Sequence, residues 1–549
     1  MKPMFPGVNN SPETILAGEI SATATTISLA SVAGLANAPN LVTIGQGDDA
    51  EVVYYGNMSG SSLTQCVRGF GDTIAKEWPT ETAVSRCYTA YDHNAFIENI
   101  QELQRSVRKY GVRFTGSQSA GERLYDAIGM KAAVSTDTAA AENDFDHVMP
   151  WAAMKRCNTA LVDGKRVPTF FEGEAGFDNV NKDVFVYVPL FYYYRSDDDR
   201  EHVVSMSHAD GFRAPAKFRN ADGTLRDYVF LPAYTAGVDA AGNPVSRPGH
   251  YPTLPSLTSI MNLCKTKHTA GTLDGDIWIE GMKDDEIKNI LLDVEFATRD
   301  HQTYMYGAAG MRNATDVTTA GGVNQFTLAA SQASQYVVGQ AIAIGTADKG
   351  QDVAMNATIT EVNATTGVIT FAPASGDITV AAGHYISSRP WKSGICDNVK
   401  GPSGSPISNT SGKYPCKYRG IENPWGNQFR WRWDFLKSDE QPYVLDAPEN
   451  YAASIGDHHT ALSYTVPQAN GYAIEMGYDP AFPYARVTKE IGGGSTTYFA
   501  DYYYQNSGVR ALLVGGLVGS GRGAGARFCN VYTSPGDAYW DIGAALSPA

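Results

Sequence analysis

The sequence predicts an α+β fold that is rich in β-strands, and three observations lead to this class. Charged residues make up only 18% of the 549 residues while aromatic residues reach 11%, a balance unlike that of a mainly helical protein. Short runs of β-branched and aromatic residues recur between clusters of glycine, proline and asparagine, as in short strands joined by turns. Two segments, 92–110 and 284–296, have helical periodicity. A chain of this length is expected to divide into three or four units.

The first unit is predicted to be a small all-β module over residues 13–88. Its predicted strands are 26–29, 41–44, 51–55 and 83–86, each a short β-rich run bounded by Gly, Pro or Asn. This module accounts for most of the sequence before the first helical pattern.

Residues 313–390 follow a similar pattern of strands and turns. Here the predicted strands are 326–328, 341–345, 357–362, 367–371 and 385–389, and Ile344-Gly345 matches Ile44-Gly45 of the first module. Two copies of one β module is the interpretation adopted. The alternative is two unrelated strand-rich segments that share common turn chemistry. Because residues 313–390 interrupt a region of mixed composition, they are predicted to be an insertion into a discontinuous domain.

The segment 92–110 is predicted to be a helix with an apolar stripe. Phe96, Ile100, Leu103 and Val107 follow one another at intervals of four, three and four residues. This spacing is that of a coiled-coil seam of about two heptads, which would bring identical chains together. The alternative is an amphipathic helix packed on its own domain.

The remaining sequence is predicted to form a mixed body around the insertion. A strand is expected within 182–194, a helix over 284–296, and a strand over 428–434 after a turn at 418–427. Trp431 and Trp433 share one face of the last strand and are predicted to be core residues.

The C-terminal segment 508–547 is predicted to present a recognition surface. A strand over 510–514 leads into glycine-rich loops, and Ile542 and Leu546 close the segment as a short returning strand. Loops rich in Gly, Ser, Asn and Tyr on a rigid sheet are typical of adaptable binding surfaces. The candidate ligand-binding residues that these loops carry are Arg522, Arg527, Phe528, Asn530, Tyr532, Asp537, Tyr539 and Trp540.

Other motifs are assigned structural roles. The glycine-rich run 519–525 lacks the Lys-Ser/Thr ending of a phosphate loop and is predicted to be a surface loop. The acidic cluster 197–201 is expected to be a solvated turn, and 283–286 the acidic first turn of a helix. No catalytic residue and no cofactor is predicted. Calcium is left open as a ligand of Glu422-Asn423 or of 457–459, against the commoner alternative of hydrogen-bonded turns.

Charge and cysteine content exclude several function classes. The net charge of −15 argues against nucleic acid as a partner, because phosphate binding needs a basic face. Seven scattered cysteines without a CxxC pair predict neither a zinc site nor a disulfide framework, so buried thiols are expected. Residues 1–7 are too short and proline-rich for a signal peptide, and no apolar run has transmembrane length. The chain is therefore expected to fold in a cytoplasm without membrane insertion.

In several of these segments the chain resembles phage tail-fibre and receptor-binding proteins with a C-type-lectin-like domain. Within that group it is most similar to the variable proteins of diversity-generating retroelements. The resemblance is carried by the frame residues 510–516, 524–525 and 542–546, by the turn 418–427, by 188–194, by 294–298 with Gln302, and by 91–96. It implies a C-terminal domain related to the formylglycine-generating fold. By analogy, it also implies that the varied ligand-binding positions lie among Leu517, Val518, Ser520, Arg522, Arg527, Phe528, Asn530, Tyr532, Asp537, Tyr539 and Asp541. The cysteine pair of the formylglycine enzyme has no clear counterpart, which removes the reason to infer oxidase activity.

The resemblance implies a non-enzymatic adhesin of a phage virion, made in the host cytoplasm and assembled as a homotrimer with other tail proteins. It would bind a bacterial cell-surface protein or glycan through burial of Phe528, Tyr532, Tyr539 and Trp540, while Arg522, Arg527 and Asp537 set orientation and on-rate. The alternatives are a tail-associated glycan-degrading enzyme and a purely structural fibre protein. The expected domains are 1–90 for virion attachment, 91–112 as helix and short coiled coil, 113–312 and 391–549 as the lectin-like body, 313–390 as the inserted module, and 508–547 as the variable region.

Overall fold

The structure is a computed structural model that describes residues 2–310, 313, 314, 317 and 322–549. Strands account for 33% of the chain and helices for 13%, which confirms the β-rich α+β class. The chain divides into two compact units, Met1–Arg108 and Lys109–Ala549. Among the described residues, no helix is both long enough and apolar enough to cross a membrane.

The first unit contains a six-stranded antiparallel sheet. Its strands are β1 (Thr14–Ile15), β2 (Thr26–Ser28), β3 (Asn40–Ile44), β4 (Glu51–Ser59), β5 (Ser62–Val67) and β6 (Ala83–Ser85). They lie in the order β1-β6-β3-β4-β5-β2. An antiparallel bridge between Leu16 and Leu29, just beyond β1 and β2, joins the two ends of this order. The sheet therefore closes on itself, which leaves no long free edge for pairing with another chain.

A buried ion pair holds one side of this closed sheet. The Glu51 carboxylate accepts hydrogen bonds from Arg68 Nε (2.7 Å) and from Trp78 Nε1 (2.8 Å), and its side chain is 0% exposed. Burial by itself raises the pKa of Glu51, but the bonds from Arg68 and Trp78 outweigh it and hold the pKa below its ordinary value. Glu51 is therefore charged and fully bonded inside the module.

The first helix, α1 (Ala90–Ser106), follows this sheet. The prediction of a helix up to residue 110 is wrong at its end, because β7 (Lys109–Phe114) already belongs to the second unit. The helix buries Ala95 and Asn99, and the Asn99 side chain bonds both backbone groups of Lys2. The predicted stripe lies exposed instead, with Phe96 53%, Leu103 54% and Val107 64% exposed. The alternative of a stripe packed on its own domain is therefore wrong.

The second unit begins with strands and two helices that form the body. The strands are β7, β8 (Gly121–Tyr125), β9 (Lys155–Val162), β10 (Lys165–Phe171), β11 (Phe185–Pro189), β12 (Tyr192–Arg195), β13 (Glu201–Ser205), β14 (Tyr228–Pro232), β15 (Gly237–Val238), β16 (Pro244–Val245) and β17 (Ile277–Ile279). The helices are α2 (Leu257–Ala270) and α3 (Met282–Phe296). Two four-stranded sheets result, in the orders β10-β9-β11-β14 and β12-β13-β7-β8.

The inserted module has the same strand order as the first one. Its elements are β18 (Asn313–Ala314), β19 (Gln325–Thr327), α4 (Ala330–Ala333), β20 (Ala341–Gly345), β21 (Ala354–Val362), β22 (Val368–Pro373) and β23 (Tyr385–Ser388). They pair as β18-β23-β20-β21-β22-β19, so each of the six strands has the same place in the sheet as its counterpart in the first module. An internal repeat predicts this shared order. Ile44 and Ile344 occupy matching positions in the two sheets, and their partners on the next strand are Glu51 and Ala354, respectively. The buried Glu51 of the first module is therefore replaced by alanine in the second.

The body resumes after the insertion and ends in its largest sheet. The strands are β24 (Lys417–Tyr418), β25 (Ile421–Glu422), β26 (Phe429–Ser438), β27 (Gln441–Leu445), β28 (His459–Ala461), β29 (Gly471–Met476), β30 (Thr488–Ile491), β31 (Tyr502–Gln505), β32 (Val509–Gly515), β33 (Gly525–Val531), β34 (Ile542–Gly543) and β35 (Leu546–Pro548). The sheet runs β28-β27-β26-β32-β33-β31-β29-β30, β34 pairs with β26, and β35 pairs with β17.

Helix α3 lies inside the body although it is rich in charge. Five of its charged residues are matched by an opposite charge, in the pairs Asp284–Lys217, Asp285–Arg432, Lys288–Glu280, Asp293–Arg527 and Glu295–Arg419, whereas the buried Glu286 accepts hydrogen bonds from the Tyr193 hydroxyl and from Ala216 N. Buried charges are tolerated when they are paired and hydrogen-bonded. The body is thus built around a helix fixed by ion pairs to distant strands.

Candidate functional site

The C-terminal segment is a frame of buried strands. β32 pairs with both β26 and β33, and β31 runs parallel to β33. The prediction that loops follow the strand 510–514 as far as Ile542 is therefore wrong for Gly525–Val531, which form β33 in the middle of the sheet. Gly525 is required there, because a Cβ atom at this position would collide with the buried Asp501 carboxylate.

The predicted binding residues separate into three groups by exposure. Tyr532 and Tyr539 are exposed, at 54% and 56%. A second group is half-buried, and it consists of Leu517, Ser520, Arg522, Asp537, Trp540 and Asp541. The third group is buried, and it consists of Val518, Arg527, Phe528 and Asn530. The predicted surface is thus only partly assembled from the residues assigned to it.

Phe528 is a core residue and not a surface contact, which corrects its assignment. Its side chain is 0% exposed and stacks on Phe429 with ring centroids 5.4 Å apart. It lies on β33 in the apolar cluster that also contains Trp431 and Leu513. A ligand approaching from solvent does not reach this ring.

Arg527 is also buried, and its assigned role in steering a ligand is wrong. Its Nη1 donates to Asp293 Oδ1 at 2.9 Å, and Nη2 bonds Asp293 Oδ2. His301 Nε2 lies 3.1 Å and His202 Nδ1 lies 2.8 Å from the same carboxylate. Burial by itself raises the pKa of Asp293, but Arg527 and the two histidines outweigh it and hold the pKa well below its ordinary value. Arg527 is thus part of an internal ion-pair centre.

Asn530 and Asp537 shape the backbone around Tyr532. The Asn530 side chain is buried, and its Oδ1 accepts a hydrogen bond from Tyr532 N at 2.9 Å. Asp537 Oδ2 accepts one from Ser534 N at 3.0 Å and so closes the next turn. Asn530 is therefore a positioning residue for Tyr532 and not a contact residue, which corrects its assignment.

The glycine-rich loop 519–525 is fixed to the body. Gln302 Nε2 donates to the carbonyl oxygen of Arg522 at 2.9 Å and to that of Ala524. The Arg522 side chain bonds Asp300 Oδ2 at 2.6 Å and lies over the Tyr306 ring at 5.3 Å. These contacts hold the loop, while Arg522 keeps 34% of its side chain exposed.

Leu517, Val518 and Trp540 pack where the insertion meets the body. Val518 is buried in one apolar cluster with Trp391, to which Leu517 and Trp540 also belong. Arg389, at the end of the inserted module, lies 4.3 Å over the Trp540 ring. Burial lowers the pKa of Arg389 to about 10, against the opposing attraction of Asp541. The prediction that Val518 contacts a ligand is therefore wrong. The same packing explains why the residues at positions 517 and 518 are apolar.

Three tyrosines beside the frame were missed by the sequence analysis. Tyr472, Tyr502 and Tyr504 form an aromatic ladder, with ring centroids 4.9 Å apart for Tyr472–Tyr502 and 4.6 Å apart for Tyr502–Tyr504. Tyr504 is 40% exposed and pairs with Asn530 across the β31–β33 ladder. The run Tyr502-Tyr503-Tyr504 was the available signal, because alternate residues of a strand share one face.

The second acidic cluster has the structural role that was predicted, whereas the prediction of a solvated turn for the first is wrong at Asp199. Asp284 and Asp285 lie in the first turn of α3. Asp197 and Asp198 are exposed, while Asp199 turns inward to Arg486 at 3.0 Å and His202 at 3.0 Å.

Among the candidate calcium contacts, Glu422 and His458 bond protein groups, whereas the buried side-chain oxygen and nitrogen of Asn423 have no hydrogen-bond partner among the described residues. Glu422 accepts hydrogen bonds from Gly394 N and from Cys396 N, both at 2.9 Å. In the second candidate, His458 Nδ1 lies 3.1 Å from Asp446. Among the described residues, no group of three or more His, Cys, Asp or Glu side chains is arranged to hold a metal ion.

Glu422 predicts a pH dependence of stability. Burial, with repulsion from Asp397, raises its pKa from 4.5 to about 7. The folded state thus favours the protonated form, so this stabilisation is complete below pH 4.5 and is lost as the pH rises through 7. In the wild type this loss lowers the free energy of unfolding by about 3 kcal/mol between pH 4.5 and 8, and we expect Glu422→Gln to abolish this decrease.

Urea unfolding of the wild type and of Glu422→Gln at several pH values measures this difference. The exposed Glu449→Gln variant is the control and is expected to keep the wild-type pH dependence. Equal pH dependence in wild type and Glu422→Gln would contradict the prediction.

The cysteines are consistent with the expectation of buried thiols. Six of them are buried, and Cys87 is exposed. Burial raises the pKa of Cys396 and of Cys416, with a further contribution from Glu422. These two thiols are therefore protonated at neutral pH and weak as nucleophiles.

Comparison with known proteins adds no family to this description. No protein-family model matches the chain, and no curated protein sequence is similar to it.

Proposed function

We propose that this protein is an adhesin of a phage tail fibre, which binds a bacterial cell-surface protein or glycan and performs no catalysis. The observation that carries the proposal is the contrast within the C-terminal segment. Tyr532 and Tyr539 are exposed, whereas Val531, Thr533 and Ile542 are buried in the frame. Exposed aromatic side chains on a rigid support bind with little loss of conformational entropy.

The proposed contact surface, here called the C-terminal loop surface, consists of Ser520, Arg522, Tyr532, Asp537 and Tyr539. These residues are exposed or half-buried and follow buried strands or the fixed glycine-rich loop. We propose that they include the positions diversified by a retroelement and that the frame stays constant. The burial of Val518, Arg527, Phe528 and Asn530 supports a frame role for those four.

We propose further that the unit Lys109–Ala549 has a C-type-lectin-like fold related to the formylglycine-generating fold. Antiparallel sheets flanked by two helices of 14 and 15 residues, with long connecting segments, support this assignment. The first β module would attach the chain to other tail proteins within the virion.

The exposed stripe of α1 supports a homotrimer. Phe96, Ile100, Leu103 and Val107 keep coiled-coil spacing and are all exposed, from 37% for Ile100 to 64% for Val107. Apolar side chains in such a row are stabilised by burial against the same row of another copy. Three copies on one fibre would also raise avidity through simultaneous weak contacts.

The adhesin proposal predicts that Tyr532→Ala and Tyr539→Ala each weaken binding to bacterial cells about tenfold. Truncating an exposed aromatic contact costs about 1–2 kcal/mol of binding free energy. The measurement is the saturation binding of fluorescently labelled protein to cells from a panel of bacterial species, with the thermal unfolding midpoint followed in parallel.

Tyr88→Ala is the matched control, because Tyr88 is 71% exposed and lies outside the C-terminal segment. It is expected to leave cell binding unchanged. Full adsorption by the Tyr532→Ala, Tyr539→Ala double variant would contradict the adhesin proposal and favour a structural fibre protein.

The trimer proposal predicts that Phe96→Ser with Leu103→Ser gives a monomer. Two polar side chains in the seam remove most of the apolar area that copies would bury. Light scattering after size-exclusion chromatography should then give the mass of one chain, 59.1 kDa. Ile74→Ser is the control, since Ile74 is 80% exposed outside the stripe. A monomeric wild-type protein at micromolar concentration would contradict the proposal.

A further inference from the structure

Three arginines inside the body share a single carboxylate. Arg486 Nη2 lies 3.0 Å, Arg195 Nε 3.3 Å and Arg299 Nη2 3.9 Å from Asp199. The side chains of Arg195 and Arg299 are 4% and 6% exposed, and that of Asp199 is 13% exposed. One negative charge therefore faces three positive ones in a region largely shielded from water.

The neighbouring carboxylates do not correct this imbalance. Asp293 is bound by Arg527, whose side chain is 5% exposed. Asp501 is buried beside Arg527, and burial raises its pKa well above the ordinary value, so it tends to be neutral. His202 lies between Asp199 and Asp293, with Nε2 3.0 Å from Asp199 Oδ1 and Nδ1 2.8 Å from Asp293 Oδ2.

The titration of the arginines agrees with a local excess of positive charge. Burial lowers the pKa of Arg486 to about 10, and repulsion from Arg195 and Arg527 acts in the same direction against the attraction of Asp199. Burial alone raises the pKa of Asp199, yet Arg486, His202 and Arg195 together hold it well below its ordinary value.

A small cavity adjoins these groups. It has a volume of about 30 Å³ and is lined by Arg195, Arg486 and Arg527 among other residues. A volume of this size accommodates one or two particles as large as a water molecule. Arg195 Nη1 is buried and has no hydrogen-bond partner among the described residues.

Two carboxylates on the cavity wall are already bound elsewhere. Asp285 forms ion pairs with Arg432 at 2.6 Å and with Lys288 at 2.9 Å. Glu286 accepts hydrogen bonds from the Tyr193 hydroxyl and from Ala216 N. Asp285 is therefore paired with cations other than Arg195, Arg486 and Arg527, whereas the donors to Glu286 are neutral groups.

A larger cleft outside the cavity is less suited to anions. It has a volume of about 330 Å³ and is also lined by Arg299 and Arg486. Asp197, Asp198 and Glu490 line it as exposed acidic residues. These acids repel anions from the outer cleft. Arg195 lines the inner cavity but not the outer cleft.

We propose that the inner cavity is a binding site for a small monovalent anion of the chloride class. The anion would accept hydrogen bonds from Arg195 Nη1 and from the guanidinium groups of Arg486 and Arg527. It would neutralise part of the charge that Asp199 leaves uncompensated. Charge-assisted hydrogen bonds in a site with little water are among the stronger polar interactions in proteins. The site is distinct from the C-terminal loop surface and does not depend on the proposed receptor.

Crystals grown with bromide in place of chloride test the site directly. The expected result is an anomalous bromide peak within hydrogen-bonding distance of Arg195 Nη1. Thermal unfolding supplies the second measurement, in which sodium chloride replaces sodium gluconate at constant ionic strength. We expect the Tm of the wild type to rise by about 2 °C and to increase with chloride concentration.

Variants then separate a specific site from a general salt effect. Arg195→Gln is expected to lose both the bromide peak and the chloride dependence of Tm. Arg200→Gln, whose side chain is 55% exposed, is expected to keep both. Should Arg195→Gln fail to fold, the two wild-type measurements decide alone. Absence of the bromide peak overturns the proposal, and so does a peak without a chloride-dependent Tm, which marks an adventitious ion only.

Discussion

Replacing Asp293 by alanine is expected to destabilise the unit Lys109–Ala549 by about 3–5 kcal/mol. The Asp293 side chain is 0% exposed and contacts Arg527, His202 and His301. Its removal leaves the buried Arg527 cation without a counter-charge, and an unpaired buried charge costs this much. The effect is large because this one carboxylate of α3 contacts β33 through Arg527, β13 through His202 and the turn His301–Thr303 through His301.

Urea unfolding at pH 7 measures the Asp293 effect, and Asp197→Ala is its matched control. Asp197 is exposed, so its loss is expected to change stability by less than about 0.5 kcal/mol. The pKa of Asp293 is lowered, so its contribution is present above the ordinary value of 3.8 and is lost as the pH falls below it. Equal stability of the two variants at pH 7 would rule out Asp293 as a centre of the body.

Replacing Phe528 by alanine is expected to cost about 3–5 kcal/mol of stability, as for other fully buried aromatic residues. Phe528 fills the space between Phe429 and the aromatic ladder, with ring centroids 5.4 Å from Phe429 and 5.9 Å from Tyr504. Its truncation leaves a cavity under β33, which carries the backbone toward Tyr532.

Tyr532→Ala is the matched variant for this prediction, because it lies four residues further along and is 54% exposed. We expect its stability to stay within about 0.5 kcal/mol of the wild type while its cell binding falls. Urea unfolding and cell binding are measured on both variants. A stable Phe528→Ala protein that fails to bind cells would restore Phe528 to the contact surface.

Most strands of the two β modules could be predicted from sequence because their patterns are local, but β1, β5 and β18 were missed. Runs such as Ala341–Gly345 combine β-branched residues with flanking turn residues. Helix α2 was missed although Ser256 caps its start and Gly271 ends it in the left-handed conformation. Its buried residues Leu257, Ile260, Met261 and Cys264 form a short apolar stripe, and no strong amphipathic contrast accompanies it.

The predicted site failed where burial depends on distant partners. Gly525–Val531 contains glycine and polar residues that locally favour a loop, and only its pairing with β31 and β32 makes it a strand. The position of Arg527 is decided by Asp293, which lies 234 residues away in the sequence. That Tyr532 and Tyr539 contact a ligand remains a prediction. Their exposure is a condition that a binding role requires.

The pairing of β18 with β23 brings the two ends of the inserted module together. Asn313 pairs with Ser387 and Ala314 with Ile386, so the points where the chain leaves and rejoins the body are neighbours. Antiparallel partners lie about 5 Å apart, a gap that one or two residues span. The two ends of the module are therefore close enough to be joined directly by a short link if the module were removed.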